Sequence, residues 1–176
     1  MSAADAPATT AVAAGSDDVA IRVRRVAKTF GGDNGTRALE ALDFAVTRGE
    51  CVSVLGPSGC GKSTLLRIVA GLTHCDPGGE VEVLGRPQHD VCDDVGVVFQ
   101  THNMLPWLTV ERNLGLGAEV RGMPRGEIAR RVAGLIDVLK LGAFRHHYPH
   151  QLSGGMRQRA GLGQTLVLRP QILLLD

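Results

Sequence analysis

A nine-residue run, GPSGCGKST, carries the strongest chemical signal in the sequence. It matches the pattern G-x-x-x-x-G-K-[ST], in which glycines let backbone N–H groups form a nest around a phosphate. Lys62 would reach the β- and γ-phosphate oxygens, and the Ser63 hydroxyl would ligate Mg²⁺. The pattern predicts binding of a nucleoside triphosphate, with a plain glycine-rich turn as the alternative. The residues predicted to hold the phosphates are Gly56, Pro57, Ser58, Gly59, Cys60, Gly61, Lys62, Ser63 and Thr64.

The residues on either side of this run predict the elements that position it. Residues 50–55 read ECVSVL, a short apolar run typical of a buried strand. Residues 62–71 read KSTLLRIVAG, a helix closed by glycine. This strand–loop–helix order is the context that the phosphate-binding pattern requires.

Length and composition favour one globular domain and exclude some classes of protein. The 176 residues carry 19 basic and 18 acidic side chains, so the net charge of +1 gives no electrostatic case for nucleic-acid binding. Four cysteines without a C-x-x-C pair indicate free thiols in a reducing compartment. No apolar stretch reaches the roughly 18 to 20 residues that span a bilayer. Residues 1–18 lack a basic n-region, and their composition predicts a disordered tail.

Further strands and helices follow from the hydrophobic pattern. Alternating residues from Val19 and a run at residues 41–46 predict an antiparallel layer, followed by the alternating strand EVEVLG. Residues 95–99 and 172–175 are buried runs that end at Gln100 and Asp176. Between residues 125 and 140, apolar residues recur at helical spacing. The residues predicted to lie outside that helical stripe are Arg130, Arg131 and Asp137.

Three histidines form the one other group that could do chemistry. His146, His147 and His150 could hold a metal ion, but no acidic residue or cysteine stands at ligand spacing from them. We interpret the segment as a solvated loop flanked by arginine.

A second motif, LSGGMRQR at residues 152–159, precedes the strand that ends in Asp176. With GPSGCGKST, Gln100 after VVF, and LSGGM in this order, the sequence from about Val19 to Asp176 resembles an ATP-binding cassette (ABC) ATPase. The resemblance implies an α/β P-loop NTPase with an N-terminal antiparallel β layer and a helical subdomain at about residues 101–160. The resemblance also implies that the sequence stops after the Walker B strand, the strand that carries the magnesium-binding Asp.

The resemblance also implies a role and partners. The stretches VVFQTHNMLPWLTVERNL and PHQLSGGMRQR look like the ATPase subunits of nitrate, sulfonate and taurine importers. Such a subunit lies at the cytoplasmic face of the inner membrane and forms a head-to-tail dimer with a second copy. Its ATP hydrolysis drives transport through permease subunits, and a separate binding protein selects the substrate.

Site residues carry over from the family to matching positions. Phe30 corresponds to the aromatic residue that stacks on adenine. Gln100 would contact Mg²⁺ and the attacking water, and Asp176 would complete the metal site with Ser63. The residues expected to touch the γ-phosphate bound to the other copy are Ser153, Gly154 and Gly155. A glycine pair that opens a helix is also a physically sensible anion site.

In the family that the sequence resembles, the region just after Gln100 receives the membrane subunit, and here an apolar cluster lies in that region. The cluster consists of Met104, Leu105, Trp107 and Leu108. The alternative is that Trp107 packs inside the helical subdomain.

Two departures from the family pattern affect these expectations. The helix predicted after the LSGGM motif reads AGLGQTLVL, and Gln164 stands in it where the family has Arg. Gly161 and Gly163 are expected to lower the stability of this helix. The family continues beyond the Asp with a catalytic Glu and a sensing His, and its next strand inserts between residues 51–55 and 172–175. We therefore expect the 176-residue chain to be partly unfolded and inactive. Alternatives are a nucleotide-binding but hydrolytically inert fragment, and a soluble ABC ATPase outside transport.

Overall fold

The computed structural model describes residues 18–31, 35–100 and 103–176. The chain divides into two compact units, the first ending at Cys92 and the second running from Asp93 to Asp176. Except for Asp18, the tail predicted for residues 1–18 lies outside the described residues. In the described part, no helix combines the length and apolar character needed to cross a bilayer.

The first unit is built on a four-stranded antiparallel sheet with strand order β2-β1-β3-β4. Its strands are β1 (Val19–Phe30), β2 (Thr36–Thr47), β3 (Glu80–Val83) and β4 (Arg86–Pro87). On β3 the buried Val81 and Val83 alternate with the less buried Glu80 and Glu82, the period-2 pattern of a sheet covered on one face. The predicted N-terminal antiparallel layer is confirmed.

Four register shifts interrupt the pairing of β1 with β2. Arg25 lies in the shift between Val23 and Val26, with a φ of 48° and a backbone N–H that donates to Asp43 Oδ1 at 2.9 Å. At the shift between Lys28 and Thr29, Lys28 pairs with Leu39 and Thr29 pairs with Arg37, so that Ala38 has no partner in this ladder. Such a bulge turns backbone groups of the strand out of the ladder.

Helix α1 (Lys62–Val69) begins directly after Gly61 and contacts β2 and β3. Leu65, Ile68 and Val69 are its buried residues, the spacing of an amphipathic helix. The helix is followed by Gly71, whose φ is 73°. The prediction of a helix closed by glycine is confirmed.

Residues 51–55 depart from the prediction of a buried strand. They form no strand, and Leu55 and Val52 keep 89% and 48% of their surface exposed. A strand exists only where a neighbour accepts its backbone hydrogen bonds, and no strand of the described part pairs with this segment. The prediction is wrong because an apolar composition supplies side chains for burial but not a backbone partner.

The second unit combines a two-stranded parallel sheet with three helices. Strands β5 (Val95–Val98) and β6 (Ile172–Leu175) pair in parallel, which confirms both predicted runs as strands. The helices are α2 (Val110–Val120), α3 (Arg125–Val138) and α4 (Gly154–Leu166), with short 3-10 helices at Gly142–Phe144 and Pro149–Gln151. The α3 prediction is confirmed within two residues, whereas α2 was not predicted.

The three helices enclose the core of the second unit. Its buried residues include Leu114, Val132, Ile136, Leu141 and Val167. The prediction that Arg131 lies outside the helical stripe is wrong, because its side chain is only 15% exposed. Its two terminal nitrogens donate to the Val167 carbonyl at 2.9 Å and to Glu127 at 2.6 Å, while its buried Nε has no hydrogen-bond partner among the described residues.

Helix α4 packs closely on its neighbours at Gly163. A Cβ built there would lie 2.8 Å from Leu139 Cδ1 and 3.1 Å from Leu114 Cδ2, so a side chain at this position would force these two leucines to shift. One residue on, Gln164 Nε2 donates to the Asn113 carbonyl at 3.3 Å and links α4 to α2. Gly163, expected from propensity to weaken α4, therefore also permits close helix packing.

We expect Gly163→Ala to lower the free energy of unfolding by about 1–3 kcal/mol, because the added methyl overpacks the contact with Leu114 and Leu139. Gly134→Ala on α3 is the matched control, since a Cβ there meets nothing within 4 Å. That control should be neutral or stabilising by up to about 1 kcal/mol through higher helix propensity. Urea unfolding followed by circular dichroism measures both, and equal effects at the two glycines would contradict the packing argument.

Candidate functional site

The loop at residues 56–64 turns into α1 at Gly61. Gly61 has a φ of 96°, in the left-handed region that favours glycine, and a Cβ there would lie 2.2 Å from the Ala38 carbonyl oxygen. The Leu65 N–H donates to the Gly61 carbonyl at 2.9 Å and begins the helical ladder. Gly61 therefore fits both the turn and the bulged backbone of β2.

The Lys62 side chain folds over the loop that precedes it. Its Nζ donates to the carbonyl oxygens of Gly56 at 2.8 Å and Pro57 at 2.7 Å, and lies 3.5 Å from Cys60 Sγ. Residues 51–60 are exposed, so a ligand can reach the loop. The amide groups that open α1 face no acidic residue in its first turn. A cationic side chain beside the N-terminus of a helix suits an anion such as a phosphate group.

Phe30 ends β1 with 49% of its surface exposed. It pairs with Thr36 of β2, two residues before Ala38, whose carbonyl approaches Gly61. The aromatic ring and the loop at residues 56–64 are therefore attached to the same short stretch of β2. The Lys28 Nζ lies over the Phe30 ring, 5.3 Å from its centroid.

The Leu-Ser-Gly-Gly motif opens α4 as predicted. Ser153 is the N-cap residue, and its Oγ accepts a hydrogen bond from the Met156 N–H at 3.3 Å. Gly154 and Gly155 are the first two residues of the helix and are exposed, and a Cβ on either would meet nothing within 4 Å. Packing within the described chain does not explain why both positions are glycine. The exposed glycine pair leaves the helix N-terminus open to a ligand.

Gln100 and Asp176 follow the carboxyl ends of two paired parallel strands. Val98 pairs with Leu175, and the Asp176 N–H donates to the Val98 carbonyl at 2.9 Å. Both residues are exposed at the same end of the β5–β6 sheet, the end at which parallel sheets commonly bind ligands. The structure therefore brings these two predicted metal-site residues to one edge.

The predicted site residues are divided between the two units. Phe30 and the loop at residues 56–64 belong to the first unit, whereas Gln100, Asp176 and the α4 N-terminus belong to the second. The set proposed for Mg²⁺ offers a hydroxyl from Ser63, an amide oxygen from Gln100 and a carboxylate from Asp176. These hard oxygen donors suit the ion. No group of three His, Cys, Asp or Glu side chains placed to hold a metal occurs among residues 18–31, 35–100 and 103–176.

Asn113 is a buried polar residue that the sequence analysis missed. Its Oδ1 accepts from the Leu105 N–H at 2.7 Å, and its Nδ2 lies 3.1, 2.9 and 3.1 Å from the carbonyl oxygens of Leu105, Leu108 and Thr109. The side chain is fully buried and fixes the turn at residues 105–109. Its position three residues after the buried Val110, on the inward face of α2, is the signal that could have revealed it.

The turn held by Asn113 carries an exposed tryptophan. Trp107 is 70% exposed, whereas Met104 is 8% exposed and belongs to the helical core. The predicted apolar cluster is therefore only partly a surface feature, and the alternative that Trp107 is packed inside is wrong. Tryptophan is one of the residue types enriched at the centres of protein–protein interfaces.

The segment with three histidines packs on the start of α2. The Val110 N–H donates to the His147 carbonyl at 2.8 Å, and the Glu111 N–H donates to the Arg145 carbonyl at 3.0 Å. The hydrogen bond from the Arg145 side chain lowers the pKa of the Glu111 carboxyl, and the charge of Arg145 adds to this effect. A lowered carboxyl pKa stabilises the fold at neutral pH, and this contribution is lost as the pH falls through the lowered pKa.

Comparison with known proteins gives a family match over most of the chain. The ABC transporter family model matches residues 39–176. An sn-glycerol-3-phosphate import ATP-binding protein of Rhodopseudomonas palustris (strain BisB18) is 42% identical over 159 residues, which cover 89% of this chain and 43% of that protein. A sulfate/thiosulfate import ATP-binding protein of Mycolicibacterium paratuberculosis (strain ATCC BAA-968 / K-10) is 44% identical over 168 residues, covering 93% and 45%. The chain thus spans less than half the length of these curated relatives.

A solved structure agrees with the fold. The dimeric post-hydrolysis state of the ATP-binding cassette MJ0796 bound to ADP and Pi superposes with a TM-score of 0.78 at 33% identity. The match covers 89% of this chain and 73% of that chain. The fold is therefore that of an ABC ATPase cassette, an α/β P-loop NTPase.

We expect Asn113→Ala to destabilise the turn at residues 105–109 by about 2–3 kcal/mol, because it leaves buried backbone groups without hydrogen-bond partners. Trp107 is the one tryptophan in the sequence, so its fluorescence during urea unfolding reports on this turn. The exposed Asn103 supplies the control Asn103→Ala, expected within about 0.5 kcal/mol of the unmodified chain. If both variants lose their Trp107 signal at the same urea concentration, Asn113 does not hold the turn.

Proposed function

The chain belongs to the ABC transporter family, which the match over residues 39–176 shows, and from this membership we propose that it is the ATP-binding, energy-coupling subunit of an importer. The observation that carries the proposal is the Gly61–Lys62 corner. There a left-handed glycine, a helix N-terminus and an ammonium group meet at an exposed loop. The ATPase domain would extend over residues 19–176, with α2, α3 and α4 as its helical subdomain.

In this proposal the loop at residues 56–64 holds the phosphates of ATP. Lys62 exchanges its bonds to the Gly56 and Pro57 carbonyls for bonds to β- and γ-phosphate oxygens, because a charged acceptor binds an ammonium more strongly than a neutral carbonyl does. The exposed face of Phe30 receives the adenine ring. These residues bind and orient the nucleotide.

Gln100 and Asp176 of the second unit, together with Ser63 of the first, would hold Mg²⁺. The bound ion would supply positive charge next to the phosphate oxygens. Gln100 also orients the attacking water. ATP binding closes the head-to-tail dimer of two copies, and hydrolysis of ATP then reopens it.

A second copy of the chain would complete the site. We propose a head-to-tail dimer in which Ser153, Gly154 and Gly155 reach the γ-phosphate bound to the partner copy. The open helix N-terminus supports this, since both glycines are exposed and no side chain of the described chain fills the space beside them. The solved structure of MJ0796, which is similar to this chain, is dimeric.

We propose that the turn at residues 105–109 docks on the membrane subunits of the importer. The support is the combination of an exposed Trp107 and the rigid attachment of its turn through Asn113. The chain would then lie as a peripheral subunit at the cytoplasmic face of the inner membrane. A substrate-binding protein would act through the membrane subunits.

The last part of the proposal concerns the class of substrate that the importer transports. The order Gln100, then Leu105-Pro106-Trp107, supports an importer of the nitrate, sulfonate and taurine type. The two curated relatives described above are named for import of glycerol 3-phosphate and of sulfate or thiosulfate. Uptake of nitrate, an alkanesulfonate, taurine, sulfate and glycerol 3-phosphate by the reconstituted transporter would decide among these substrates.

Lys62→Ala should weaken binding of Mg²⁺-ATP at least about tenfold, because it removes charged hydrogen bonds to the phosphates. Titration with a fluorescent ATP analogue measures the affinity. Lys140→Ala is the matched control, since this lysine is exposed and is not one of the proposed binding residues. Equal affinities in the two variants would refute the assignment of the phosphate-binding loop.

A photo-crosslinking residue at position 107 should attach to a membrane subunit when the importer is assembled, because Trp107 projects from the proposed docking turn. The same residue at position 120 is the control, since Val120 is also exposed, at 80%, but lies at the other end of α2. Crosslinking to membrane subunits at position 120 and none at position 107 would be incompatible with this docking surface.

A further inference from the structure

A lysine lies against the ring that we assign to the nucleobase. The Lys28 Nζ is over the face of Phe30, 5.3 Å from the ring centroid, within the range of about 6 Å at which cation–π attraction operates. The Lys28 side chain is only 18% exposed, whereas half of the Phe30 surface is open. The ammonium is therefore partly withdrawn from water, which strengthens its attraction to the ring.

An aspartate from another part of the first unit holds this end of β1 in place. Asp76 Oδ1 accepts a hydrogen bond from the Thr29 N–H at 3.2 Å and lies 4.0 Å from Lys28 Nζ. The Asp76 N–H donates to the Ala27 carbonyl at 2.9 Å. Asp76 therefore contacts three consecutive residues of β1, and the ammonium is fixed between a carboxylate and an aromatic ring.

Asp76 keeps its charge at neutral pH. The Thr29 N–H lowers the pKa of its carboxyl, and the charges of Lys28 and Arg37 lower the pKa further. The carboxylate therefore attracts the ammonium under the conditions in which a nucleotide would bind.

We propose that Lys28 is a positioning residue for the nucleobase: its ammonium holds one face of Phe30, so that the ring presents its other face to a purine. This inference rests on the proposed function, because it concerns the same nucleotide site. A ring whose orientation is already fixed loses less freedom when a base stacks on it, and the affinity rises accordingly. Lys28 acts through Phe30 and needs no contact with the phosphates.

The alternative is that Lys28 only stabilises the hairpin or adds positive charge to the first unit. Either role would affect every ligand of the phosphate-binding loop alike. A positioning role on the ring affects only ligands that carry a base. Comparison of ATP with inorganic tripolyphosphate therefore separates the two, since both present a triphosphate and only ATP has a purine.

The test measures the affinities of ATP and tripolyphosphate for the full chain by calorimetric titration. Lys28→Met keeps the long side chain and removes its charge. We expect it to weaken ATP binding about two- to fivefold and to leave tripolyphosphate binding unchanged. Lys28→Arg should retain the affinity for ATP, since a guanidinium also stacks on an aromatic face. Lys140→Met, which removes an exposed lysine of the second unit, should change neither affinity.

A double-mutant cycle with Phe30→Ala then tests whether Lys28 acts through the ring. Lys28→Met should weaken ATP binding in the unmodified chain and have no further effect when Phe30 is absent. An equal loss for both ligands, an unchanged affinity for ATP, or a full effect in the Phe30→Ala background would each overturn the inference. Failure of the unmodified chain to bind either ligand would instead refute the proposed function, and the inference with it.

Discussion

The close approach of Gly61 to the carbonyl oxygen of Ala38 is the contact that organises the candidate site. Ala38 lies in the bulge of β2, between Arg37 and Leu39, which pair with Thr29 and Lys28 on β1. The same stretch of backbone therefore fixes where α1 begins and where β1 ends. As a result, the loop at residues 56–64 and the Phe30 ring have a spacing set by strand register rather than by flexible side chains. A side chain at position 61 would separate the loop from β2 and destroy that spacing.

The second unit has its own fixed points. Parallel pairing of β5 and β6 places Gln100 and Asp176 at one edge, and Ser153 caps α4 so that Gly154 and Gly155 open it. Asn113 holds the turn that bears Trp107 against the start of α2. Each of these arrangements depends on backbone hydrogen bonds, which keep exposed functional groups in defined positions.

Much of the fold could be predicted because the signals are local. The hydrophobic period identified β1, β3 and α3, and continuous apolar runs identified β5 and β6. The spacing of glycines with Lys62 identified the loop and the helix after it. The predictions that were wrong depended on partners distant in sequence. Residues 51–55 have the composition of a strand but find no neighbour in the described part, and Arg131 is covered because the Val167 carbonyl accepts its hydrogen bond. The helical spacing of Asn113 from Val110 is a signal for its burial. Its role on the turn, and that of Lys28 at the Phe30 ring, depend on contacts that a local pattern does not show.

The proposed binding of a nucleoside triphosphate between the loop at residues 56–64 and Phe30 can be tested by amide chemical-shift mapping of the ¹⁵N-labelled chain during titration with Mg²⁺-ATP. We expect the largest shifts at residues 59–64 and 28–30. Shifts confined to residues outside both segments, at ligand concentrations that saturate binding, would contradict it.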